Sequence, residues 1–105
     1  MPTNAEATPQ QAYDAVASGA ALLIDVREPW ESEQQRVPGA LLIPLSEVPV
    51  RLDEIPDDRA VFVHCRLGGR SAKAVDFLRE HGRPRAINVA GGIEAWEEAG
   101  LPVIG

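Results

Sequence analysis

The fold of this chain is decided by the stretch Val61-Phe62-Val63-His64-Cys65-Arg66-Leu67-Gly68-Gly69-Arg70-Ser71-Ala72-Lys73. Its first part is a short apolar run with β-branched residues, which is typical of a buried strand. The run ends at Cys65, which is the only cysteine in the chain. A loop with two glycines and two arginines follows, and an amphipathic helical pattern begins directly after it. We therefore predict a strand, a nucleophile, a tight loop and a helix start in that order.

This arrangement is one that makes a thiol reactive. The thiolate is the nucleophile, and a free cysteine has a pKa of about 8.5. Successive backbone N–H groups of the loop and the positive end of the helix dipole would face the sulfur or an anion beside it. Arg66, Arg70 and Lys73 add three cations in a chain whose net charge is −6. We expect these groups to lower the pKa of Cys65. The alternative is a small core residue at a strand end, because free cysteines are among the most buried side chains.

Apolar runs and helical patterns alternate along the rest of the chain, which predicts an α/β domain. We expect a central, mainly parallel sheet of about five strands with helices on both faces. A single domain is predicted over residues 8–105, after a loose segment over residues 1–7. The clearest strands are predicted at residues 21–25, 41–43, 60–64 and 86–89, and the helices at about 9–18, 29–34, 70–81 and 93–99.

In sheets of this kind, ligands bind at the carboxyl ends of the strands. Asp25, Cys65 and the pair Gly91-Gly92 follow three of the predicted strands, so we expect them to converge. Asp25 and Arg27 are expected to hold their loop by a mutual or backbone-directed hydrogen bond. His64 precedes the nucleophile on its strand, and we expect its side chain to point to the opposite face as a satisfied core histidine, with a proton carrier as the alternative.

Composition excludes several classes of function. The chain has 105 residues, of which 45% are hydrophobic and 25% charged, as in a soluble globular domain. The acidic balance argues against nucleic acids and anionic membranes as partners. One cysteine excludes an internal disulfide and a multi-cysteine metal site, and it leaves no second thiol to resolve an oxidised Cys65. The N-terminus lacks a signal-peptide pattern and the longest apolar run is too short for a membrane, so we predict a cytoplasmic protein.

The loop Cys65-Arg66-Leu67-Gly68-Gly69-Arg70-Ser71 after an apolar strand resembles the active-site loop of rhodanese-like sulfurtransferases. The resemblance covers nearly the whole chain from about Thr8 onward. One departure is Arg36, which stands where that family often has a histidine. Further signatures follow in the family's order and at fitting spacing: Asp25-Val26-Arg27-Glu28, Val37-Pro38-Gly39-Ala40, Gly91-Gly92-Ile93-Glu94-Ala95-Trp96 and the ending Gly100-Leu101-Pro102-Val103.

This resemblance implies a three-layer rhodanese-like domain and a specific reaction. Cys65 would be the catalytic residue, taking a sulfane sulfur from thiosulfate or a persulfide donor and passing it to a thiol, a protein or cyanide. Asp25 and Arg27 would support the loop from behind. No metal or organic cofactor is required, and we expect a monomer, with a weak dimer as the alternative. Substrate binding and persulfide stabilisation would fall to the loop residues Arg66, Leu67, Gly68, Gly69, Arg70 and Ser71.

Two rival interpretations remain open. The first is a cysteine phosphatase or arsenate reductase, since related folds use a Cys-loop-Arg cradle for oxyanions. Here Arg70 lies five residues after Cys65, one fewer than in the Cys-x5-Arg loop of those phosphatases, and a shorter loop suits a sulfur atom better than a phosphate. The second rival is a non-catalytic binding module or a protein-to-protein sulfur relay, because donor choice depends on surface details that one sequence does not show.

Overall fold

A five-stranded sheet, parallel throughout, forms the centre of the computed structural model, which describes residues 5–105. The strand order β1-β5-β4-β2-β3 puts the strand before Cys65 in the middle of the sheet. The predicted α/β class and the mainly parallel sheet of about five strands are confirmed. The strands are β1 (Glu6–Ala7), β2 (Ala21–Asp25), β3 (Leu41–Leu42), β4 (Ala60–His64) and β5 (Ala86–Val89).

The edge strand β1 differs from the sequence prediction. Glu6 and Ala7 pair in parallel with Asn88 and Val89 of β5, so the expectation of a loose segment is wrong for these two residues. A strand of two residues is too short to display the alternation that identifies strands in a sequence. Residues 1–4 of the predicted segment lie outside the described residues.

Three of the four α-helices connect strands and the fourth follows β5, and each starts where the sequence supplies a cap or a turn residue. Thr8 caps the first helix through a reciprocal capping box with Gln11. The third helix begins at Gly69, one residue earlier than predicted, and Gly82 follows its end with a left-handed φ of +86°. The helices are α1 (Pro9–Ala17), α2 (Pro29–Gln34), α3 (Gly69–Glu80) and α4 (Gly92–Glu98), with short 3-10 helices at Leu45–Glu47 and Leu52–Glu54.

Apolar side chains alternate between the two faces of the sheet and create two core clusters, which makes the domain three-layered. The first cluster places α3 and the two 3-10 segments against one face. The second places α1 and α4 against the other face. The first contains Ile24, Val61, Val63, Ala74, Val75 and Leu78, and the second Ala12, Leu23, Phe62, Val89, Ile93 and Trp96.

Trp96 packs at the junction of two helices and the C-terminal segment. Its side chain is buried, its indole N–H donates to the carbonyl of Pro102 at 2.8 Å, and Tyr13 contacts it edge-on at 5.9 Å between ring centroids. These contacts tie α1, α4 and the C-terminal segment together. Within residues 5–105, none of the helices combines the length and the apolar character needed to cross a lipid bilayer.

Candidate active site

Cys65 lies directly after the central strand β4, and its sulfur is the focus of the loop that follows. The backbone N–H of Gly68 donates to Sγ at 3.0 Å, and the Ser71 hydroxyl donates to it at 3.3 Å. Only 1% of the residue's surface is exposed, and it packs in the same cluster as Ala74 and Val75. Cys65 is therefore both a core residue and an acceptor of hydrogen bonds at its sulfur. The sequence suggested a core residue and a reactive thiol as alternatives.

Glycines allow this loop to close tightly around the sulfur. Gly68 caps α3 with a φ of +111°, a left-handed conformation that other residues rarely adopt. Its carbonyl accepts a hydrogen bond from the Asn88 side chain at 3.2 Å, which ties the loop to β5. A Cβ on Gly92 would lie 2.5 Å from the carbonyl groups of Cys65 and Arg66. The predicted convergence of the turn at residues 91–92 with Cys65 is thus confirmed, and the contact requires glycine.

Burial and hydrogen bonding act in opposite directions on the pKa of Cys65. Burial raises it, because the thiolate loses solvation. The hydroxyl and backbone N–H of Ser71 and the backbone N–H groups of Gly68 and Leu67 lower it. The net result is a pKa below the ordinary value. Hydrogen-bond donors of the loop therefore favour the thiolate, as predicted for a reactive cysteine, and Ser71 supplies two of them.

Arg70 is held by a carboxylate that the sequence analysis did not identify. Its two terminal nitrogens donate to the two oxygens of Glu31, on α2, at 2.7 and 3.0 Å. This ion pair lowers the pKa of Glu31 to about 2. Arg70 is half-buried, while the Glu31 side chain is only 10% exposed. The sequence indicates Glu31 only through its place in the first turn of α2. The loop before α2 lies at the same edge of the sheet as the loop after Cys65.

Arg66 also has a carboxylate partner. Its Nε–H donates to Glu94 of α4 at 2.8 Å, and both side chains are largely exposed. Lys73 is exposed on α3. From the sequence we expect these cations to stabilise the thiolate directly. In the structure both arginines are paired with carboxylates from other elements, and the hydrogen bonds described above are the main groups that lower the pKa of Cys65.

Asp25 and Arg27 form a buried ion pair behind the loop. The guanidinium donates to the carboxylate at 2.8, 3.0 and 3.2 Å, and Arg27 also donates to the carbonyl of Gln35 at 2.7 Å. The exposed fraction is 4% for the Arg27 side chain and 2% for Asp25. The predicted mutual hydrogen bond is present, and it fixes both ends of the segment that carries α2. Glu31 reaches Arg70 from this segment.

His64 is buried on the Asp25 side of β4, since these two residues face each other across β2 and β4. Its Nδ1 lies 3.2 Å from the Cys65 carbonyl, which only accepts, so Nδ1 carries the proton. Burial lowers the pKa of His64 below 6.5, against the opposing charge of Asp25. Nε2, 3.9 Å from the Asp25 carboxylate, has no hydrogen-bond partner among the described residues. The side chain is thus a core histidine, as predicted, but the expectation that all of its polar atoms are satisfied is wrong for Nε2.

A cleft of about 290 Å³ opens beside the loop. Trp30, which is 61% exposed, forms part of its wall. Leu67, equally exposed, follows the lining residue Arg66 in the chain. Within residues 5–105, no three His, Cys, Asp or Glu side chains cluster as metal ligands would. The cleft is lined by Arg27, Trp30, Glu31, Gln34, Gln35, Arg66, Ile93 and Glu94.

Comparison with known proteins places this geometry in a family. The chain is 45% identical to a protein named sulfurtransferase from Allochromatium vinosum, over 79% of this chain and 78% of that one. It is 34% identical to the thiosulfate sulfurtransferase GlpE of Glaesserella parasuis serovar 5, over 96% and 94% of the two chains. A rhodanese-related protein from Thermoplasma volcanium superposes with a TM-score of 0.85 at 33% identity, covering 94% of this chain and 96% of that one. The model of the rhodanese-like domain matches residues 8–99, and the chain therefore belongs to the rhodanese-like domain family.

Proposed function

We propose that this protein is a sulfurtransferase that carries a sulfane sulfur on Cys65 as a persulfide. The observation that carries the proposal is the set of donors aimed at one sulfur atom: the Gly68 N–H, the Ser71 hydroxyl and the further N–H groups that lower the pKa of Cys65. A thiolate held in this way is a nucleophile, and the same donors suit an anionic sulfur one bond farther out. The names of the relatives, which are sulfurtransferases, support the same reaction.

The proposed reaction is a double displacement. The Cys65 thiolate attacks the outer sulfur of thiosulfate, the sulfur–sulfur bond of the donor breaks, and sulfite leaves with the electron pair. An acceptor thiolate or cyanide then attacks the outer sulfur of the Cys65 persulfide and releases the Cys65 thiolate. Since the chain has no second cysteine, the acceptor must be another molecule.

Intact mass measurement tests the proposal directly. Incubation with thiosulfate should add the mass of one sulfur atom, and cyanide should then remove it with release of thiocyanate. Cys65→Ser, which is nearly isosteric but cannot form a persulfide, should show neither change while keeping the thermal unfolding curve of the wild type. A sulfur adduct on Cys65→Ser, or no adduct on the wild type with thiosulfate or with an organic persulfide, would refute the proposal.

The same protein preparation tests the phosphatase alternative. A phosphoryl group carries three oxygens and needs donors farther from the sulfur than the Gly68 N–H, which lies 3.0 Å from Sγ. Aryl phosphates should therefore be hydrolysed no faster by the wild type than by Cys65→Ser. Hydrolysis through Cys65 without any sulfur adduct would establish the phosphatase function instead.

A further inference from the structure

We call the surface formed by Arg66, Arg70, Glu31 and Glu94 the mouth of the Cys65 loop. Each of its two arginines is paired with one of its two carboxylates. Arg70 gives both terminal nitrogens to Glu31, and Arg66 gives its Nε–H to Glu94. The adjoining cleft is lined by members of both pairs, Glu31 from the first and Arg66 with Glu94 from the second. Arg27, which also reaches the cleft, is matched by the buried Asp25. An anion that arrives at this mouth therefore meets arginines already neutralised by carboxylates.

We propose that Glu31, together with Glu94, selects the sulfur donor. The electroneutral mouth favours organic persulfides, R–S–S–H, whose carrier group R is uncharged, over the thiosulfate dianion. This inference rests on the proposed function. Thiosulfate needs a cation beside its sulfonate oxygens, and to obtain Arg70 it would have to displace the bidentate carboxylate of Glu31. An uncharged carrier requires no such exchange. Its organic group has a cleft of about 290 Å³ beside the loop, where the exposed side chain of Trp30 supplies apolar surface.

The chemical step is the same for both donors, but the charge of the leaving group differs. With an organic persulfide, the Cys65 thiolate attacks the outer sulfur of R–S–S–H and the bond between the two donor sulfurs breaks. The thiolate R–S⁻ leaves with the electron pair, and the proton stays on the transferred sulfur. With thiosulfate the leaving group is the sulfite dianion, for which the mouth offers no net positive charge.

Glu31→Gln tests the proposal because the amide keeps the size of the side chain and one acceptor oxygen for Arg70 while it removes the charge. It should lower KM for thiosulfate and raise kcat/KM about threefold to tenfold, the effect of one unmatched unit charge at a partly screened site. The gain should shrink as salt is added. With the persulfide of N-acetylcysteine methyl ester, kcat/KM should rise less, by no more than about twofold, because its carrier is uncharged and its leaving thiolate bears one negative charge where sulfite bears two. Glu31→Asp, which keeps the charge, should not show this gain in kcat/KM for thiosulfate.

A second readout does not depend on sulfur transfer. The ratio of Cys65 alkylation rates for iodoacetate and iodoacetamide compares an anion with a neutral reagent of similar shape. Glu31→Gln should raise this ratio about threefold or more, and Glu94→Gln should raise it less, because the pair it breaks is largely exposed. The matched control is Glu54→Gln, which breaks an exposed pair with Arg51. Glu54 lies between Leu52 and Ile55, whose carbonyls accept hydrogen bonds from Arg83. Arg83 follows the C-terminal end of α3, which is the end remote from Cys65.

The outcomes separate the two proposals. A wild type that uses thiosulfate at least as efficiently as the persulfide with the uncharged carrier overturns the inference about donors. So does an alkylation ratio that Glu31→Gln leaves equal to that of Glu54→Gln. If neither donor adds sulfur to Cys65, the proposed function itself fails, whatever the alkylation ratio shows.

Discussion

Removing the Ser71 hydroxyl is the sharpest test of how the thiolate is stabilised. The hydroxyl lies 3.3 Å from Sγ on a fully buried side chain, so Ser71→Ala deletes one donor without opening a large space. A hydrogen bond to a charged group contributes about 1.5–3 kcal/mol. We take the lower end of that range because sulfur accepts weakly and the distance is long. Since one pKa unit corresponds to about 1.4 kcal/mol, the pKa of Cys65 should rise by about one unit in this variant.

The pH dependence of alkylation by iodoacetamide measures this shift, because a neutral reagent reports the thiolate fraction without a charge effect of its own. Ser71→Ala should move the midpoint to higher pH and leave the rate at high pH almost unchanged. Arg70→Gln should move the midpoint by less than about half a unit, because that guanidinium is partly exposed and already paired with Glu31. Ser18→Ala serves as the matched control, since the Ser18 hydroxyl binds the carbonyl of Ala15 at an exposed helix end.

Two results would refute this reasoning. One is a midpoint in Ser71→Ala that equals that of the control. The other is a larger shift in Arg70→Gln than in Ser71→Ala, which would show that charges rather than hydrogen bonds set the pKa of Cys65. Thermal unfolding of each variant should accompany the titration, so that a loss of structure is not read as a change of pKa.

Three further predictions concern stability. Asp25→Ala strands the buried guanidinium of Arg27 and should lower the free energy of unfolding by about 3–5 kcal/mol in urea denaturation. Gly92→Ala should destabilise more than Gly82→Ala: both residues have positive φ, but only the first would bring a Cβ within 2.5 Å of other backbone atoms. Burial lowers the pKa of His64, so the unfolded chain takes up a proton that the folded chain does not. The free energy of unfolding should therefore fall as the pH drops below 6.5, and His64→Gln should weaken that dependence.

Each of these predictions has a result that contradicts it. A loss below about 1 kcal/mol in Asp25→Ala would fit an exposed pair rather than a buried one. Equal losses in the two glycine variants would show that backbone strain, and not the contact with the Cys65 loop, decides the cost. An unchanged pH dependence in His64→Gln would assign the effect to other groups.

The central strand, the loop and the helix after it could be predicted because their signals are local. A β-branched run, a pair of glycines and an amphipathic pattern each specify backbone structure within a few residues. Ser71 fell within that local pattern, and the structure places its hydroxyl on the sulfur. The buried pair of Asp25 and Arg27 is local too, because only Val26 stands between its members.

The partners of the loop arginines could not be predicted in the same way. Arg70 and Glu31 are 39 residues apart, and Arg66 and Glu94 are 28 apart, so their pairing depends on where α2 and α4 come to rest. Counting cations near a cysteine in sequence ignores carboxylates that arrive from other elements. The predicted sheet already placed the loops after β2, β4 and β5 at one edge. Carboxylates at the starts of α2 and α4 could therefore have been considered as partners of the loop arginines.

The two tryptophans of this chain occupy opposite environments, and this gives the protein two independent optical reporters. Trp96 is 2% exposed in the core, whereas Trp30 is 61% exposed on the wall of the cleft. A water-soluble quencher should therefore reach Trp30 and spare Trp96 while the domain is folded. In a Trp30→Phe variant, the remaining emission reports unfolding alone. In a Trp96→Phe variant, the emission of Trp30 follows what enters the cleft, so a donor or acceptor can be titrated without a label.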